Sequence, residues 1–249
     1  MRLIILSDIH GNLEALEAVL ADAGRFQASP AGPASLVCLG DLVGYGANPE
    51  EVVRTVRAAG ALAVRGNHEM GLAGRAMRGR FNPQAWAAVR WTASKLSRAS
   101  LDWLKELPTS LVLEGCRFVH GLPPDDVDTY VTWASLESIR QAMTGLPEEI
   151  CFVGHTHLLG VVSFAGDEIV RSRLAEGARV LAAGSLHLVN AGSVGQPRDG
   201  DPRAKYCLFD PASRELTVRF VPYDAKSAAQ KILDSGQPAV FAERLLREG

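Results

Sequence analysis

Aromatic residues make up only 6% of this 249-residue chain, and no run approaches the ~18 apolar residues that would suggest a membrane span. The opening Met-Arg-Leu-Ile-Ile-Leu carries a positive charge and an apolar stretch. It breaks at Ser7-Asp8, too soon for a signal peptide, and reads as a first β-strand. Cysteine is scarce: Cys38, Cys116, Cys151 and Cys207 form no CxxC pair and each lies in an apolar run. They are expected to be small buried thiols in strands, which fits a reduced, cytoplasmic protein. An excess of one charge is missing too. A formal net charge of −2 gives no overall reason to expect nucleic acid, which usually leaves a strongly basic footprint. Neither GxGxxG nor GxxxxGK[ST] is present, so the opening strand–helix unit is not a nucleotide fold by motif. No serine sits in a GxSxG elbow, because Ala191-Gly192-Ser193-Val194-Gly195 has its glycines in the wrong places.

What remains, 47% hydrophobic and 22% charged, has ample material for the core of an α/β domain. Leu3–Leu6, Ser35–Leu39 and Leu62–Val64 are short apolar runs of the buried-strand type. Between them lie two helical patterns. One runs from Leu13 to an expected stop at Gly24; the other runs from Pro49, after Asn48 as its cap, to about Ala59. Residues 70–108 lack strand runs, carry Trp86, Trp91 and Trp103, and read as an inserted helical segment with its tryptophans in the core. After Pro108 the chain turns β-rich, with strands expected near 111–113, 117–120, 150–153, 161–164, 188–190, 206–209 and 216–221. Residues 222–249 return to a helical pattern broken at Gly236-Gln237-Pro238. With no repeat and no linker, residues 1–249 read as one domain, 1–221 as its core and the rest as a helical tail.

The ends of the apolar runs concentrate Asp, Asn and His. In order they carry Asp8-Ile9-His10, Gly40-Asp41, Gly66-Asn67-His68-Glu69, His120-Gly121 and Gly154-His155-Thr156-His157. Any one of these groups alone is an ordinary turn, cap or core histidine. Five in succession, each directly after a buried-strand run, point to a metal site at the C-terminal edge of parallel strands. Imidazole with carboxylate or amide oxygen suits Mn, Fe, Co or Zn, and two close ions need a bridging anion that Asp41 can supply. In Asp-x-His and His-x-His an extended backbone would put both side chains on one face. His187 lies outside the pattern and receives no metal role.

The set resembles the calcineurin-like metallophosphoesterase superfamily, whose blocks read DxH, GDxxx, GNHE/D, a later H, and GHxH. Asn190-Ala-Gly-Ser193-Val-Gly-Gln196-Pro-Arg198 is similar to the NxGSxxxPR segment of a bacterial and archaeal phosphodiesterase-like branch. The resemblance implies an α/β fold of two packed mixed β-sheets flanked by helices, an α/β/β/α sandwich, here with the helical insertion around 70–108. It implies two divalent metal ions, with manganese favoured. Asp8, His10, Asp41 and His157 resemble the ligands of one ion. Asp41, Asn67, His120 and His155 resemble those of the other, with Asp41 bridging. His68 resembles the family's non-ligand histidine, which contacts the phosphate and helps the leaving group depart. The reaction implied is in-line attack on a phosphate ester by a hydroxide between the metals.

One block departs from the protein-phosphatase branch. There the second block reads GDxVDRG, with an Asp that orients the histidine and an Arg that grips phosphate; here Gly44 and Tyr45 occupy those places. Phosphodiesters or small nucleotide esters are therefore expected as substrates ahead of phosphoproteins. A phosphomonoesterase or protein phosphatase, a nuclease steered by the 75–98 charges, and a non-catalytic scaffold are the alternatives. A scaffold should have lost ligands or His68, and this chain keeps them all. Arg198 is the candidate phosphate contact, and Tyr45 either stacks on a base or lines the cleft. No membrane is expected as a partner, and nucleic acid is disfavoured. The apolar stripe Ala239, Val240, Phe241, Leu245, Leu246 either docks on the chain's own body or forms a homo-oligomer contact.

Overall fold

The structure, a computed structural model, describes residues 1–27 and 33–247. Strands β1 (Arg2–Leu6), β2 (Ala34–Cys38) and β3 (Leu62–Ala63) alternate with helices α1 (Leu13–Gln27) and α2 (Pro49–Ala58). The insertion follows as α3 (Asn67–Gly71), a 3-10 turn at Arg75–Arg80, α4 (Pro83–Lys95) and α5 (Arg98–Glu106). Next come β4 (Ser110–Leu113), β5 (Cys116–Val119), α6 (Leu136–Thr144), β6 (Ile150–Val153), β7 (Leu159–Ala165), β8 (Glu168–Arg173), β9 (Gly177–Val180) and β10 (Leu186–Ala191). The chain closes with β11 (Ala204–Asp210), β12 (Glu215–Val221), α7 (Ala225–Asp234) and α8 (Ala239–Leu246).

The strands form two six-stranded mixed sheets, ordered β3-β2-β1-β11-β12-β9 and β4-β5-β6-β10-β7-β8. In the first, β1, β2 and β3 run parallel; in the second, β5, β6 and β10 do. The sequence groups Asp8, Asp41, Asn67, His120 and His155 follow the C-terminal ends of β1, β2, β3, β5 and β6 in turn. Parallel register thus delivers residues scattered over the chain to one edge.

The continuous apolar runs are explained by burial of both faces. Leu3 and Ile5 of β1 point between the sheets, with Val37, Phe118, Phe152, Val189 and Phe209. Ile4 and Leu6 point the other way, against Leu16 and Val19 of α1 and Val52 and Val56 of α2. This alternation is the two-residue strand period. All four cysteines are free and buried. No helix among the described residues is long and apolar enough to cross a membrane.

Several local expectations change. Helix α1 passes through Gly24 to Gln27, since a helical glycine costs only about 1 kcal/mol and space is open around it. The Asn48 side chain makes no capping bond; Pro49 starts the helix while the Asn48 carbonyl accepts from Val52 N at 3.0 Å. Strands β8 and β9 and helix α6 were not expected. The strands are largely exposed sheet edges without a continuous apolar run. Helix α6 had a signal that the β-rich surroundings obscured: Ser135 caps Ser138 N, and Ile139 and Met143 share one buried face. The three insertion tryptophans are only partly buried; Trp86 and Trp103 lean on the helix-side core, and Trp91 donates to Ser235 O at 3.2 Å. The tail stripe splits. Phe241 and Leu245 bury against the chain's own body with Ala228, Ile232 and Tyr45, while Leu246 stays 50% exposed.

Candidate metal centre

The side chains of Asp8, His10, Asp41, His120, His155 and His157 converge at the shared edge, each no more than 4% exposed. Their backbone is not the extended one expected from the x-spaced pairs. Asp8, His10, Asp41, His155 and His157 all have positive φ, between 50° and 66°. Alternating left-handed residues, rather than a pleat, turn both members of each pair toward one centre. The loops nest closely. A Cβ on Gly66 would stand 2.2 Å from Asp41 Oδ1 and 2.5 Å from Asp41 N, so only glycine lets the third block lie against the second.

Two groups of donor atoms meet at Asp41. On one side His10 Nε2 lies 3.1 Å from His157 Nε2, 3.7 Å from Asp8 Oδ1 and 3.7 Å from Asp41 Oδ2; His157 Nε2 lies 3.3 Å from Asp8 Oδ1. On the other, His120 Nε2 lies 3.3 Å from Asp41 Oδ2, 3.2 Å from Asn67 Oδ1 and 3.2 Å from His155 Nδ1. Asp41 Oδ2 is common to both. Its Oδ1 accepts from His68 N at 2.9 Å, which leaves Oδ2 turned inward.

The surroundings set the tautomers. His10 Nδ1, His120 Nδ1 and His157 Nδ1 meet the carbonyls of Val43, Leu39 and Gln196 at 3.2, 2.7 and 2.6 Å, and His155 Nε2 meets that of Asp128 at 2.9 Å. A carbonyl only accepts, so each ring keeps its proton on the outer nitrogen and presents a lone pair inward. Asp8 Oδ1 is buried with no hydrogen-bond partner, whereas Oδ2 accepts from Ser7 Oγ at 2.6 Å and His155 N at 3.0 Å. An orphaned carboxylate oxygen among inward lone pairs fits a divalent cation, and the clusters with the family described below support divalent metal binding.

Electrostatics agree with that fit. Burial pushes His10 and His157 well below the usual histidine range, and His155 down to about 3, so these rings are neutral donors. Burial alone would raise Asp41, but the charge of His120 and its hydrogen bond hold it well below the usual carboxylate range. Burial raises Asp8 to about 7, and raises Glu69 to about 7 with help from Asp41. His120 is the exception: burial disfavours its charge, yet the Asp41 carboxylate raises it to about 10. A proton on His120 and a cation beside it draw on the same Asp41 field.

His68, 2% exposed, lies close enough to His10 and Asp41 to join them as a donor group. Among the described residues it differs from the other four rings in having no backbone carbonyl on either nitrogen, and its Nδ1 is buried without a partner. Aromatic rings hold it instead: Tyr45 at 4.5 Å, His10 at 4.8 Å and Phe81 at 5.6 Å between centroids. A Cβ on Gly44 would come within 2.1 Å of its Nδ1, so this ring position leaves no room for the orienting Asp of the protein-phosphatase branch. Tyr45 is enclosed by His10, His68 and Phe241 and lines the site as a wall; its ring is not a free platform. Arg198 is exposed at the mouth, with Nη2 3.4 Å from Gln196 Oε1. His187, outside the cluster, bonds Ser163 and the Ala182 carbonyl.

Other residues at the site received no role from the motif reading. Glu69 accepts from Asp41 N (2.8 Å), Gly66 N (2.9 Å) and Val43 N (3.2 Å), stapling the second block to the third; its place in the third block was the signal. Asn190 donates to Gly154 O and Thr156 Oγ1, and Ser193 Oγ donates to Asp8 O while accepting from Gln196 N. The 190–198 segment therefore braces the first and last blocks. Tyr130 stacks on His155 at 3.9 Å and meets Trp133 at a tilt at 4.4 Å, from a loop that carries no pattern at all. Beyond the His155–His157 turn lies a cavity of about 470 Å³ lined by Val131, Thr156, Leu158, Val161, Asn190 and Arg198, among others.

Comparison with known proteins agrees with this geometry. Residues 1–214 match the calcineurin-like phosphoesterase superfamily domain. An uncharacterized protein of Methanocaldococcus jannaschii is 36% identical over 255 residues, covering 97% of this chain and 96% of its own. The crystal structure of a metallophosphoesterase from Sphaerobacter thermophilus superposes with a TM-score of 0.83 at 35% identity, over 99% of this chain and 98% of the other. A hypothetical protein from Pyrococcus horikoshii superposes at 0.79 with 20% identity, over 100% and 98%, and shares the fold. With the strand-end clusters in place and the match running over most of its length, the chain belongs to the calcineurin-like phosphoesterase superfamily.

Proposed function

We propose that this protein is a two-metal phosphoesterase that hydrolyses phosphodiesters or small nucleotide phosphate esters. The observation that carries this reading is Asp41 Oδ2, which stands 3.7 Å from His10 Nε2 and 3.3 Å from His120 Nε2, where a carboxylate bridging two ions belongs. Asp8, His10, His157 and Asp41 would hold one ion; Asn67, His120, His155 and Asp41 the other. Ions bound there would supply Lewis-acid activation of water and neutralise charge on the phosphoryl oxygens. The oxygen-and-imidazole donor set without thiolate suits Mn, Fe, Co or Zn, and manganese is our first choice.

The chain's own residues do the rest. Carbonyls behind the imidazoles fix the inward lone pairs. His68, which has no such carbonyl among the described residues, would give a proton to the departing oxygen. Arg198 offers a guanidinium to a phosphoryl oxygen at the mouth. Small substrates follow from access: the donor atoms lie deep, and Phe241 of α8 packs on Tyr45 beside them. The cavity of about 470 Å³ has the size of a small-molecule site.

The test strips the protein with chelator, restores Mn, Fe, Co or Zn singly, and counts bound ions while assaying bis-p-nitrophenyl phosphate and a phosphoserine peptide. We expect no activity when stripped, two ions per chain at full activity, and preference for the small ester. Undiminished activity without metal, or a clear preference for the phosphopeptide, would overturn the reading.

A further inference from the structure

Helix α8, in the expected tail, brings a second arginine to the mouth. Arg244 Nη1 lies 3.5 Å from Gln196 Oε1, the same oxygen that Arg198 Nη2 approaches at 3.4 Å. Gln196 is 1% exposed, and its backbone carbonyl holds metal-site His157 at 2.6 Å, so both guanidiniums contact the side chain of a residue that braces the site. Among the described residues neither has a carboxylate within ion-pair distance, although Arg117, Arg203, Arg214 and Arg219 all do. Burial and the Arg198 charge lower the pKa of Arg244, while Tyr45 and Tyr130 raise it.

Two cations sharing one neutral oxygen repel each other, and among the described residues no carboxylate forms an ion pair with either. The arrangement persists because α8 is fixed. Phe241, Ala242 and Leu245 are buried, Gln237 Nε2 donates to Gly46 O at 3.2 Å, and the Arg244 guanidinium lies 5.8 Å from the Phe241 ring centre. An arginine pair without ion-pair partners among the described residues, Arg244 half-buried and Arg198 exposed, suits an oxyanion beside a cation-binding cluster, and guanidinium matches phosphate oxygens bidentately.

We infer that Arg244 and Arg198 form a two-guanidinium clamp for a phosphate group with two or more negative charges, supplied in part by the C-terminal helix. The inference rests on the phosphoesterase reading and narrows its substrate class toward small esters with a dianionic phosphate or a second phosphate. It also assigns the tail a place in the site. The arginine that position 45 lacks comes from the other end of the chain.

The test uses the full-length, metal-loaded protein and its Arg244→Gln, Arg244→Lys and Arg198→Gln variants. Calorimetric titration with inorganic phosphate and with pyrophosphate reads the clamp at equilibrium. Kinetics on p-nitrophenyl phosphate, a dianion, and bis-p-nitrophenyl phosphate, a monoanion, read it in turnover. For Arg244→Gln we expect phosphate affinity to fall about tenfold or more, and KM for the dianionic ester to rise with it. Metal content should match the parent, kcat/KM should fall less on the monoanionic diester than on the dianionic ester, and the lysine should restore part of the loss. Loss on pyrophosphate alone would place the clamp on a neighbouring phosphate; equal loss on both anions would place it on the reacting one. Unchanged binding of both anions in a folded, metal-replete Arg244→Gln protein would overturn the clamp while leaving the phosphoesterase reading standing. Should glutamine disturb α8, Arg198→Gln reads the same clamp from the other side.

Discussion

The inner wall of the site and its mouth are held by different means. Asp8, His10, Asp41, His155 and His157 are buried on residues of positive φ, a conformation that costs a non-glycine residue about 1 kcal/mol or more. Hydrogen bonds from backbone groups, Ser7, Asn190 and Ser193, and into the Glu69 carboxylate, fix them or the loops that carry them. At the mouth, Arg198 is exposed, Trp133 is 82% exposed, and Arg198 and Arg244 reach Gln196 Oε1 at only 3.4 and 3.5 Å. Strain is concentrated where distances of a few tenths of an ångström decide whether donor atoms share an ion. The mouth, which meets whatever the substrate carries, is built from long side chains that can adjust. Substitutions in the two regions should therefore fail differently: all-or-none inside, graded by substrate outside.

The largest expected effect tests the inner wall. Asp41→Asn keeps the shape but removes the charge shared by both donor groups. Activity should fall on the order of 10³-fold or more on every ester, with metal content reduced at both positions. A variant that keeps two ions and loses activity on one substrate only would move Asp41 into the class of the mouth and break the comparison.

His68 stands between the two regions and sharpens the boundary. As a proton donor its value depends on the leaving group, and such acid catalysis is typically worth about 10²–10⁴ in rate. His68→Ala should keep its metals and lose far more on an alkyl ester, whose alkoxide leaves badly, than on a p-nitrophenyl ester. Equal losses with reduced metal content would make His68 a ligand and extend the inner wall to include it.

The same division explains what could be read from the residues in order. Coordination restricts residue type, and parallel strands put those residues directly after apolar runs. Asp8, His10, Asp41, Asn67, His120, His155 and His157 therefore stood out before any fold was known, and the structure brings them together. The two-sheet fold followed from resemblance and from the strand-rich second half. What escaped has no such restriction. Exposed β8 and β9 need no continuous apolar run. Tyr130 reaches His155 from an irregular loop, and Arg244 reaches Arg198 only because α7 and α8 fold back over Tyr45. The left-handed backbone at Asp8 and His10 escaped too, because extended pairs and left-handed turns can present the same side-chain spacing.

The smallest expected effect supplies the control that both regions need. Asp22 of α1 lies away from the metal cluster, where its carboxylate accepts from Tyr206 OH at 2.8 Å and from Arg219 Nε and Nη2 at 3.1 and 3.0 Å. Burial alone would raise its pKa, but the Arg219 and Tyr206 hydrogen bonds hold it below the usual carboxylate range. A depressed folded pKa stabilises the protein above the unfolded value of about 3.9, and that contribution is lost as pH falls through the lower folded value. Asp22→Asn should therefore destabilise the fold at neutral pH by about 1–3 kcal/mol, the range for hydrogen bonds to a charged partner. The gap from the parent should begin to narrow below about pH 4, where the unfolded carboxylate takes up its proton, and close only as pH falls through the lower folded pKa. Chemical unfolding at pH 7 and pH 3 reads the gap, and kcat/KM on both the diester and the monoester should be unchanged at temperatures where the variant is folded. A substrate-dependent change in this variant would mean that graded failure is not special to the mouth, and the contrast between mouth and inner wall would lose its basis.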